Sequence, residues 1–129
     1  MKISKINFID IPANIITQSK KEKLVFCKNT SLYSFNDKGM FIGFTGILYK
    51  KDKAIFKNHY VLPEHRKNGY FKIMLHFSID TSKDKQFFEA TCTPLSINYY
   101  LRLGFVPIKY YKNKCVKVIY ENIQKRNGT

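Results

Sequence analysis

One stretch of the chain has the residue types and the order of a phosphate-binding segment. An apolar strand ending in Tyr60-Val61-Leu62 runs into a proline, and a basic loop with one glycine leads into an apolar helical pattern. This order brings free backbone N–H groups and the positive end of a helix dipole to one point, where phosphate oxygens bind well. The residues predicted to hold such a ligand are Arg66, Lys67, Asn68, Gly69, Tyr70 and Phe71.

The loop differs from the two common phosphate-binding motifs. It has neither the eight-residue frame that ends in Gly-Lys-Ser/Thr nor the three glycines of the dinucleotide fingerprint. One glycine with basic neighbours is enough to wrap backbone N–H groups around a pyrophosphate without a metal ligand. A loop that only begins a helix would fit the same residues, so the loop by itself leaves both interpretations open.

The first half of the chain reads as an antiparallel meander with one short helix. Alternating apolar and polar residues and turn signals between them predict its strands. Asp10 and Pro12 are typical of a helix start, so a helix is predicted from Ala13 to Lys21. The predicted strands are Ile3–Ile9, Leu24–Cys27, Leu32–Phe35, Met40–Tyr49 and Ala54–Leu62.

The second half contains a crossover unit. The helical pattern from Tyr70 separates the strand that ends at Leu62 from a strand predicted at Phe87–Cys92, which should therefore run parallel. A short helix from Thr93 to Leu103 and two final strands, Phe105–Tyr111 and Lys114–Tyr120, complete the pattern. The expected fold is α+β in α/β/α layers, with a mixed, mostly antiparallel sheet of six to seven strands and a central parallel pair. We expect one domain over residues 1–123 and a polar tail over residues 124–129.

Composition favours a folded, basic chain. Of its 129 residues, 44% are hydrophobic and 16% aromatic, which argues against disorder. The formal net charge of +14 favours anionic partners such as nucleic acid, a phosphate-rich cofactor or a membrane surface. The lysines are scattered, however, and compositional bias towards Lys, Asn, Ile, Phe and Tyr would produce the same charge. A nucleic-acid partner is therefore one open alternative.

Cysteine usage and hydropathy indicate the setting. Cys27, Cys92 and Cys115 have no metal-binding spacing, their number is odd, and each lies in apolar surroundings. Buried, reduced thiols are the simplest interpretation. We therefore expect no metal ion and a cytoplasmic location. No run of apolar residues is long enough to cross a bilayer, and no membrane partner is expected.

A second motif follows the loop at a fixed distance. It reads Thr93-Pro94-Leu95-Ser96-Ile97-Asn98-Tyr99-Tyr100-Leu101-Arg102-Leu103-Gly104-Phe105. This segment is similar to the pattern Asn-x-x-Ala-x-x-x-Tyr-x-x-x-Gly-Phe, which is found in one enzyme family. Together with Arg66 and Gly69, which match the pattern Gln/Arg-x-x-Gly-x-Gly/Ala, it makes the chain resemble the GNAT family of N-acetyltransferases over about residues 54–107. Phe71 stands where the family has a small residue. Thr93 and Ser96 stand where Asn and Ala are usual.

The resemblance implies an acetyl-CoA-dependent transferase of the acyl-CoA N-acyltransferase fold. The backbone of Tyr60, Val61 and Leu62 would bond the pantetheine arm, with one N–H facing the oxyanion. Arg66 to Phe71 would hold the pyrophosphate, and Thr93 and Ser96 would contact the pantetheine. Tyr100 would protonate the departing CoA thiolate, as a phenol with pKa about 10 can do for a thiolate with pKa about 8.5.

The acceptor amine must lose a proton, so a base or a water chain is expected. The strand before the loop carries His59 and no carboxylate, and an imidazole with a usual pKa of about 6.5 suits the task. Glu89 on the neighbouring strand is the second candidate. Structural roles remain alternatives for both residues, since a strand histidine is often a core residue and a lone carboxylate is often ion-paired.

Three functions therefore stay open. The first is an N-acetyltransferase acting on a primary amine by direct attack, as a monomer or a homodimer. Its acceptor is a small amine, a nucleic acid or a protein. The second is a non-catalytic module of the same fold that binds nucleic acid or protein. The third is a member of the superfamily that modifies a nucleobase.

Overall fold

Within residues 1–123, which are those that the structure describes, eight strands form one sheet with three helices. The structure is a computed structural model, and the predicted tail, residues 124–129, lies outside the described residues. The strands are β1 (Lys2–Ile6), β2 (Ser31–Asp37), β3 (Met40–Tyr49), β4 (Lys53–Phe56), β5 (Tyr60–Val61), β6 (Phe87–Cys92), β7 (Val106–Tyr110) and β8 (Val116–Glu121). The helices are α1 (Ala13–Lys21), α2 (Tyr70–Thr81) and α3 (Ile97–Arg102), with short 3-10 helices at Phe8–Asp10 and Pro63–His65.

The sheet is mixed. Its strand order is β1-β2-β3-β4-β6-β8-β7, and β5 pairs with β3 beside this path. Only β4 and β6 of the described strands pair in parallel, with Ile55 opposite Glu89, so the predicted crossover and the predicted fold class are confirmed. The strand number is eight rather than six to seven because β5 is a separate piece of the strand predicted at Ala54–Leu62.

Helices cover both faces of the sheet. On one face α2 and α3 bury a core that includes Leu75, Phe88, Tyr100 and Val118. On the other face α1 packs Ile11 and Ile15 of its N-terminal region against three strands at Leu32, Phe44 and Tyr60. None of the helices within residues 1–123 has the length and apolar character that a bilayer crossing needs.

The helix predictions are confirmed in position. α1 has the predicted bounds and ends in Lys20 and Lys21, cations that the negative end of the helix dipole favours. α3 begins four residues later than Thr93, because residues 93–96 form a turn instead of a first helical turn. It is followed by Gly104, whose φ of +97° is the left-handed conformation expected there.

The strand predicted at Leu24–Cys27 is wrong. Residues 24–27 pair with no described strand of the sheet. They run as a loop over the α1 face, where Phe26 packs on Phe44 with ring centroids 5.7 Å apart. The side-chain amide of Asn58, oriented so that its nitrogen donates, bonds the carbonyl of Val25 at 3.0 Å.

The strand predicted at Ala54–Leu62 is interrupted by a β-bulge. Phe56 pairs with Ile47, whereas Tyr60 pairs with Phe44, so four steps along this strand correspond to three along β3. One extra residue in residues 57–59 reverses the side-chain alternation. Phe56 faces α2, and Tyr60, also an even-numbered residue, faces α1.

Gly43 allows β5 to approach β3. A Cβ atom at this position would lie 2.1 Å from the carbonyl oxygen of Tyr60 and 2.7 Å from the terminal methyl of Met74. Real Cβ atoms do not come so close to backbone atoms. The pairing of β5 with β3 therefore requires glycine at position 43.

Candidate active site

A cleft opens between β5 and the end of β6. The parallel pairing of β4 with β6 ends at Phe56 and Ala90, while β6 continues to Cys92 and β5 pairs only with β3. The N–H of Leu62 donates to the carbonyl of Ile42 on the β3 side. Because N–H and C=O groups alternate between the two edges of a strand, those of Val61 face the cleft. The carbonyl of Val61 accepts from Nε of Arg66, which leaves its N–H to bond a ligand in the cleft.

The loop at the top of the cleft leads directly into α2. Lys67 and Gly69 both have positive φ angles, of 67° and 82°, which turn successive backbone N–H groups inward. Ile73 makes a first intrahelical bond with the carbonyl of Gly69, so the first-turn N–H groups ahead of it have no intrahelical partner. No atom lies within 4 Å of a Cβ built on Gly69, which leaves room for a ligand against the loop.

The Arg66 side chain points away from the loop. Its Nε donates to the carbonyl oxygen of Val61 at 2.9 Å, and its Nη2 lies 2.7 Å from Oε1 of Glu22. The guanidinium carbon lies 5.3 Å from the centroid of the Tyr60 ring, and the Tyr60 hydroxyl donates to Oε2 of Glu22. The end of α1, the strand β5 and the phosphate loop are thereby joined in one cluster, which we call the Glu22–Tyr60–Arg66 cluster.

Glu22 is ionised within this cluster. Partial burial works to raise the pKa of its carboxyl group, but the hydrogen bonds from Tyr60 and Arg66 and the guanidinium charge outweigh burial and lower it. Burial and the hydrogen bond to Glu22 raise the pKa of the Tyr60 hydroxyl. The sequence prediction did not include Glu22. A carboxylate at the C-terminal end of a helix opposes the helix dipole, and that was the signal for a specific cationic partner.

The two aromatic residues of the loop have different roles in packing. Tyr70 donates from its hydroxyl to Oδ2 of Asp37 at 2.8 Å. The ring of Phe71 turns inward against Tyr99, with centroids 4.9 Å apart, and against Tyr100 at 6.0 Å. The large side chain at position 71 therefore lies in the core, and it does not occupy the space in front of the loop.

Tyr100 is buried behind the cleft. Its ring makes edge contacts with Phe105 and Phe71, and only 3% of the residue is exposed. Burial, followed by the nearby Cys92 thiol, raises the pKa of its hydroxyl well above the ordinary value. Cys92, the last residue of β6, belongs to the same core cluster, and burial and Cys115 raise its pKa to about 12. At neutral pH the Tyr100 phenol and the Cys92 thiol are therefore both protonated.

His59 lies in the bulge and turns towards α2. Its Nε2 is 2.6 Å from Oγ of Ser78, its ring lies near Phe56 and Phe71, and its Nδ1 is buried without a partner. Burial lowers the pKa of the imidazole to about 3. The ring is therefore neutral at physiological pH and a weak base for an alkylammonium ion with pKa near 10.

Glu89 lies on the other face of the sheet. Its side chain is 11% exposed, and Oε1 is 3.4 Å from Nζ of Lys53 and 3.5 Å from Nζ of Lys117. Phe88 and Ala90 beside it belong to the core under α2 and α3, so Glu89 points away from Tyr100. This geometry is that of a carboxylate held by two lysines.

Thr93 and Ser96 bond to each other. Ser96 Oγ is 3.2 Å from the backbone N of Thr93 and 3.3 Å from its Oγ1, and both residues are exposed or half-buried at the end of β6. The structure thus brings Val61, Leu62, the loop at 66–71 and Tyr100 around one cleft, while the Arg66 side chain and Glu89 are directed elsewhere. Within residues 1–123 no group of three or more His, Cys, Asp and Glu residues is arranged to hold a metal ion.

Comparisons with known proteins agree on this fold. The model of a family described as "Acetyltransferase (GNAT) family" matches residues 9–105. A comparison with curated proteins found no match.

Three solved structures illustrate the likeness. They are the ribosomal-protein-S18-alanine N-acetyltransferase from Escherichia coli (16% identity, TM-score 0.69, covering 92% of this chain and 90% of that chain), a mutant of the spermidine N-acetyltransferase from Vibrio cholerae (10%, 0.76, 99% and 99%) and a GNAT family acetyltransferase from Elizabethkingia anophelis with acetyl-CoA bound (12%, 0.68, 93% and 97%). At these identities the likeness shows the fold alone.

Proposed function

Because the chain belongs to the acetyltransferase (GNAT) family, we propose that it is an acetyl-CoA-dependent N-acetyltransferase that acts on a primary amine by direct attack. The observation that carries this proposal is the cleft beside β5, where the backbone of Val61 faces the opening that leads to the first turn of α2. Acetyl-CoA bound in the similar Elizabethkingia anophelis protein supports the choice of donor.

The donor side of the site is assigned as follows. Within the segment Tyr60, Val61 and Leu62, the backbone of Val61 would face the acyl end of the pantetheine, and its N–H would stabilise the oxyanion, while the N–H of Leu62 stays bonded to Ile42 of β3. The backbone N–H groups from Arg66 to Phe71 would hold the pyrophosphate, and Thr93 and Ser96 would flank the pantetheine. The thioester supplies an activated acyl group with a thiolate as leaving group.

Transfer requires one bond to form and one to break. The acceptor nitrogen forms a bond with the acyl carbon, the C–S bond breaks, and the sulfur leaves with the electron pair. In our proposal Tyr100 donates its proton to that sulfur and regains one from solvent. The raised pKa of Tyr100 keeps this proton in place until negative charge develops on the sulfur.

The acceptor proton is assigned to water. His59 and Glu89 were predicted as bases, but the buried ring of His59 and the two lysines around Glu89 favour structural roles. The amine gives one proton to solvent before it attacks, and its nitrogen loses a second proton to water as the amide forms, so neither loss needs a side-chain base. The His59→Gln and Glu89→Gln variants test each assignment.

Thermal unfolding with acetyl-CoA tests the proposal. A ligand present at one hundred times its Kd adds about 2.7 kcal/mol to the free energy of unfolding. We expect a clear rise in Tm with millimolar acetyl-CoA and a smaller rise for the Gly69→Val variant, whose side chain would enter the space in front of the loop. No shift with the wild-type chain would refute the proposal.

A non-catalytic binding module is the second candidate. The observation in its favour is that neither predicted base faces the cleft. Such a module would bind acetyl-CoA or CoA equally well and would show no acetyl transfer to any amine. Measurement of CoA release with a panel of amines separates the two candidates.

A further inference from the structure

One face of the sheet carries a row of lysines at the closed end of the cleft. Phe88, Ala90 and Cys92 of β6 and Val116 and Val118 of β8 face the core under α2 and α3, so the residues between them point to the opposite face. α1 packs on β2, β3 and β5, and the opposite face of β6, β8 and β7 carries exposed and half-buried side chains around the buried Glu89. We call this surface the open sheet face.

The row crosses β6, β8 and β7 in register and continues to Lys57, the residue that follows β4. Thr91 pairs with Lys117, and Lys117 pairs with Lys109. Lys57 follows Phe56, and Thr91 follows Ala90, at the place where those two residues end the parallel pairing. We call Lys57, Thr91, Lys117 and Lys109 the lysine row. These residues lie where β4 and β6 stop pairing and the cleft begins. At about 4.8 Å per strand the row is about 14 Å long.

The direct pairing of Lys117 with Lys109 destabilises the sheet locally. Like charges opposite each other on neighbouring strands are destabilising. Lys117 leans towards Glu89 at 3.5 Å, and Nζ of Lys109 lies 5.0 Å from the ring centroid of Tyr111, so the two cations turn apart. Glu89 is shared with Lys53 and brings one negative charge against two positive charges. An anion placed on the row would relieve this imbalance.

The carboxylates of Glu22 and Glu89 are already paired, and the exposed Glu64 lies in the 3-10 helix before the loop. Glu22 bonds Arg66 and Tyr60, and Glu89 bonds Lys53 and Lys117. A polycationic amine would need carboxylates to hold its second charge, and it would meet the lysine row instead. The charge of this surface therefore selects against a polyamine acceptor and in favour of an acceptor with negative charges close to its amine.

We propose that the acceptor is a polypeptide whose reactive amine is followed within about five residues by acidic side chains, and that these side chains bind across the lysine row. This inference rests on the proposed transferase function. Direct attack needs a nucleophilic alkyl amine, which a polypeptide has at its N-terminus or at lysine, whereas the amines of nucleobases are conjugated with the ring. An extended peptide advances about 3.3 Å per residue, so four or five residues span the row. The half-buried Ile119 and the exposed Val106 give the peptide apolar contacts in the adjacent register row.

Paired peptides test the inference. One peptide carries a single free amine followed by Asp and Glu, and its partner carries Asn and Gln at the same positions. Binding is measured by fluorescence anisotropy with CoA present, and transfer is measured by thiol release. We expect binding of the acidic peptide to be about fivefold tighter or more in 50 mM salt, because two or three exposed ion pairs form, and this advantage to shrink in 500 mM salt.

Two double variants provide the matched comparison. Lys109→Gln with Lys117→Gln should abolish the preference for the acidic peptide. Lys20→Gln with Lys21→Gln, which removes the same charge at the end of α1, should keep it. Equal binding of the two peptides by the wild type, or equal loss in both variants, would overturn the inference. A single-stranded RNA that displaces the acidic peptide through these lysines at lower concentration than a polyglutamate of equal charge would also overturn it.

The two proposals fail in different ways. If acetyl-CoA gives no thermal shift, the transferase proposal fails, and the anisotropy measurement still decides whether acidic peptides bind the row. If acetyl-CoA binds and a small neutral amine is acetylated, but both peptides react and bind equally, only the inference about the acceptor fails.

Discussion

Nε of Arg66 donates a hydrogen bond of 2.9 Å to the carbonyl oxygen of Val61, five residues earlier in the chain. Arg66 was predicted from the loop motif to contact a phosphate group. Its side chain instead bonds the backbone of β5, the strand against which pantetheine is proposed to lie. Its second contact, to Glu22 at 2.7 Å, fixes the end of α1 to the same point. Arg66 thus links β5 to α1, the helix on the face of the sheet opposite to α2.

Removal of either partner of this ion pair should destabilise the chain moderately. Arg66→Gln loses the bond to Val61 and leaves Glu22 without its cation, and we expect a loss of about 1–2 kcal/mol. Glu22→Gln should lose about 1 kcal/mol, and the double variant should lose less than the sum. Urea unfolding of the four proteins measures this coupling. Additive losses would mean that the two side chains do not interact in solution.

Glu22 should also contribute to the dependence of stability on pH. Its folded-state pKa lies below the unfolded value of about 4.5, so its contribution is present above that pH and is lost as pH falls through the folded-state pKa. The difference in unfolding free energy between wild type and Glu22→Gln should therefore disappear in acid. Glu64→Gln, at an exposed carboxylate of the 3-10 helix before the loop, serves as the control with a smaller effect.

Tyr100→Phe should slow transfer and spare donor binding. The variant keeps the ring that packs on Phe71 and Phe105 and removes only the proton donor, so we expect kcat to fall about 10²-fold with little change in Tm or in acetyl-CoA affinity. Tyr99→Phe, one residue away and in contact with the same Phe71 ring, should retain kcat. Full activity of the Tyr100 variant would leave leaving-group protonation to water.

The pH profile of transfer should follow the acceptor. With His59 neutral down to about pH 3, log kcat/KM should rise by one per pH unit up to the pKa of the amine, with no break near 6.5. A break there that His59→Gln removes would restore the histidine as base. His59 should instead affect stability: its folded-state pKa is lowered, so the wild type loses stability as pH falls from about 6.5 towards 3, and His59→Gln should flatten this part of the curve.

Gly43→Ala should act on the cleft from a distance. Its Cβ would meet the backbone of Tyr60, which can move only if β5 shifts, and we expect a loss of about 1–3 kcal/mol and weaker acetyl-CoA binding. Gly46→Ala lies on the same strand but meets only side-chain atoms of Thr30, Leu32 and Asn58, so it should affect donor binding less. Calorimetry with CoA compares the two variants.

The sequence was sufficient where the determining contacts are local. α1 was predictable because Pro12 and the two terminal lysines mark its ends, and the crossover was predictable because the period changes at Tyr70. The turn that displaces the start of α3 from Thr93 depends on a hydroxyl pair that no pattern reveals. The loop at residues 24–27 has the composition of a strand, but its contacts are with Phe44 and Asn58, which are distant in the sequence and which no local pattern reveals.

On the proposed donor side, the sequence predicted the segments that the structure brings around the cleft, and their roles remain predictions. Loop, strand and Tyr100 follow from spacing along the chain, whereas the Glu22–Tyr60–Arg66 cluster joins residues that are 38 and 44 positions apart. Burial of His59 also depends on Ser78 and on the rings around it, which the alternation within one strand does not reveal. Electrostatic environment is thus a property of the assembled fold.

The cleft depends on the number of residues between Phe56 and Tyr60, because the bulge at residues 57–59 separates β5 from β4. Deletion of one residue there would leave three steps between Phe56 and Tyr60, equal to the three between Ile47 and Phe44, and would allow one continuous strand beside β6 with Tyr60 still on the face of α1. Such a chain would keep every proposed catalytic side chain and yet have a closed sheet where the donor is proposed to lie. Such a chain would therefore lose donor binding although every motif residue is present. A comparison of motifs alone would not reveal this loss.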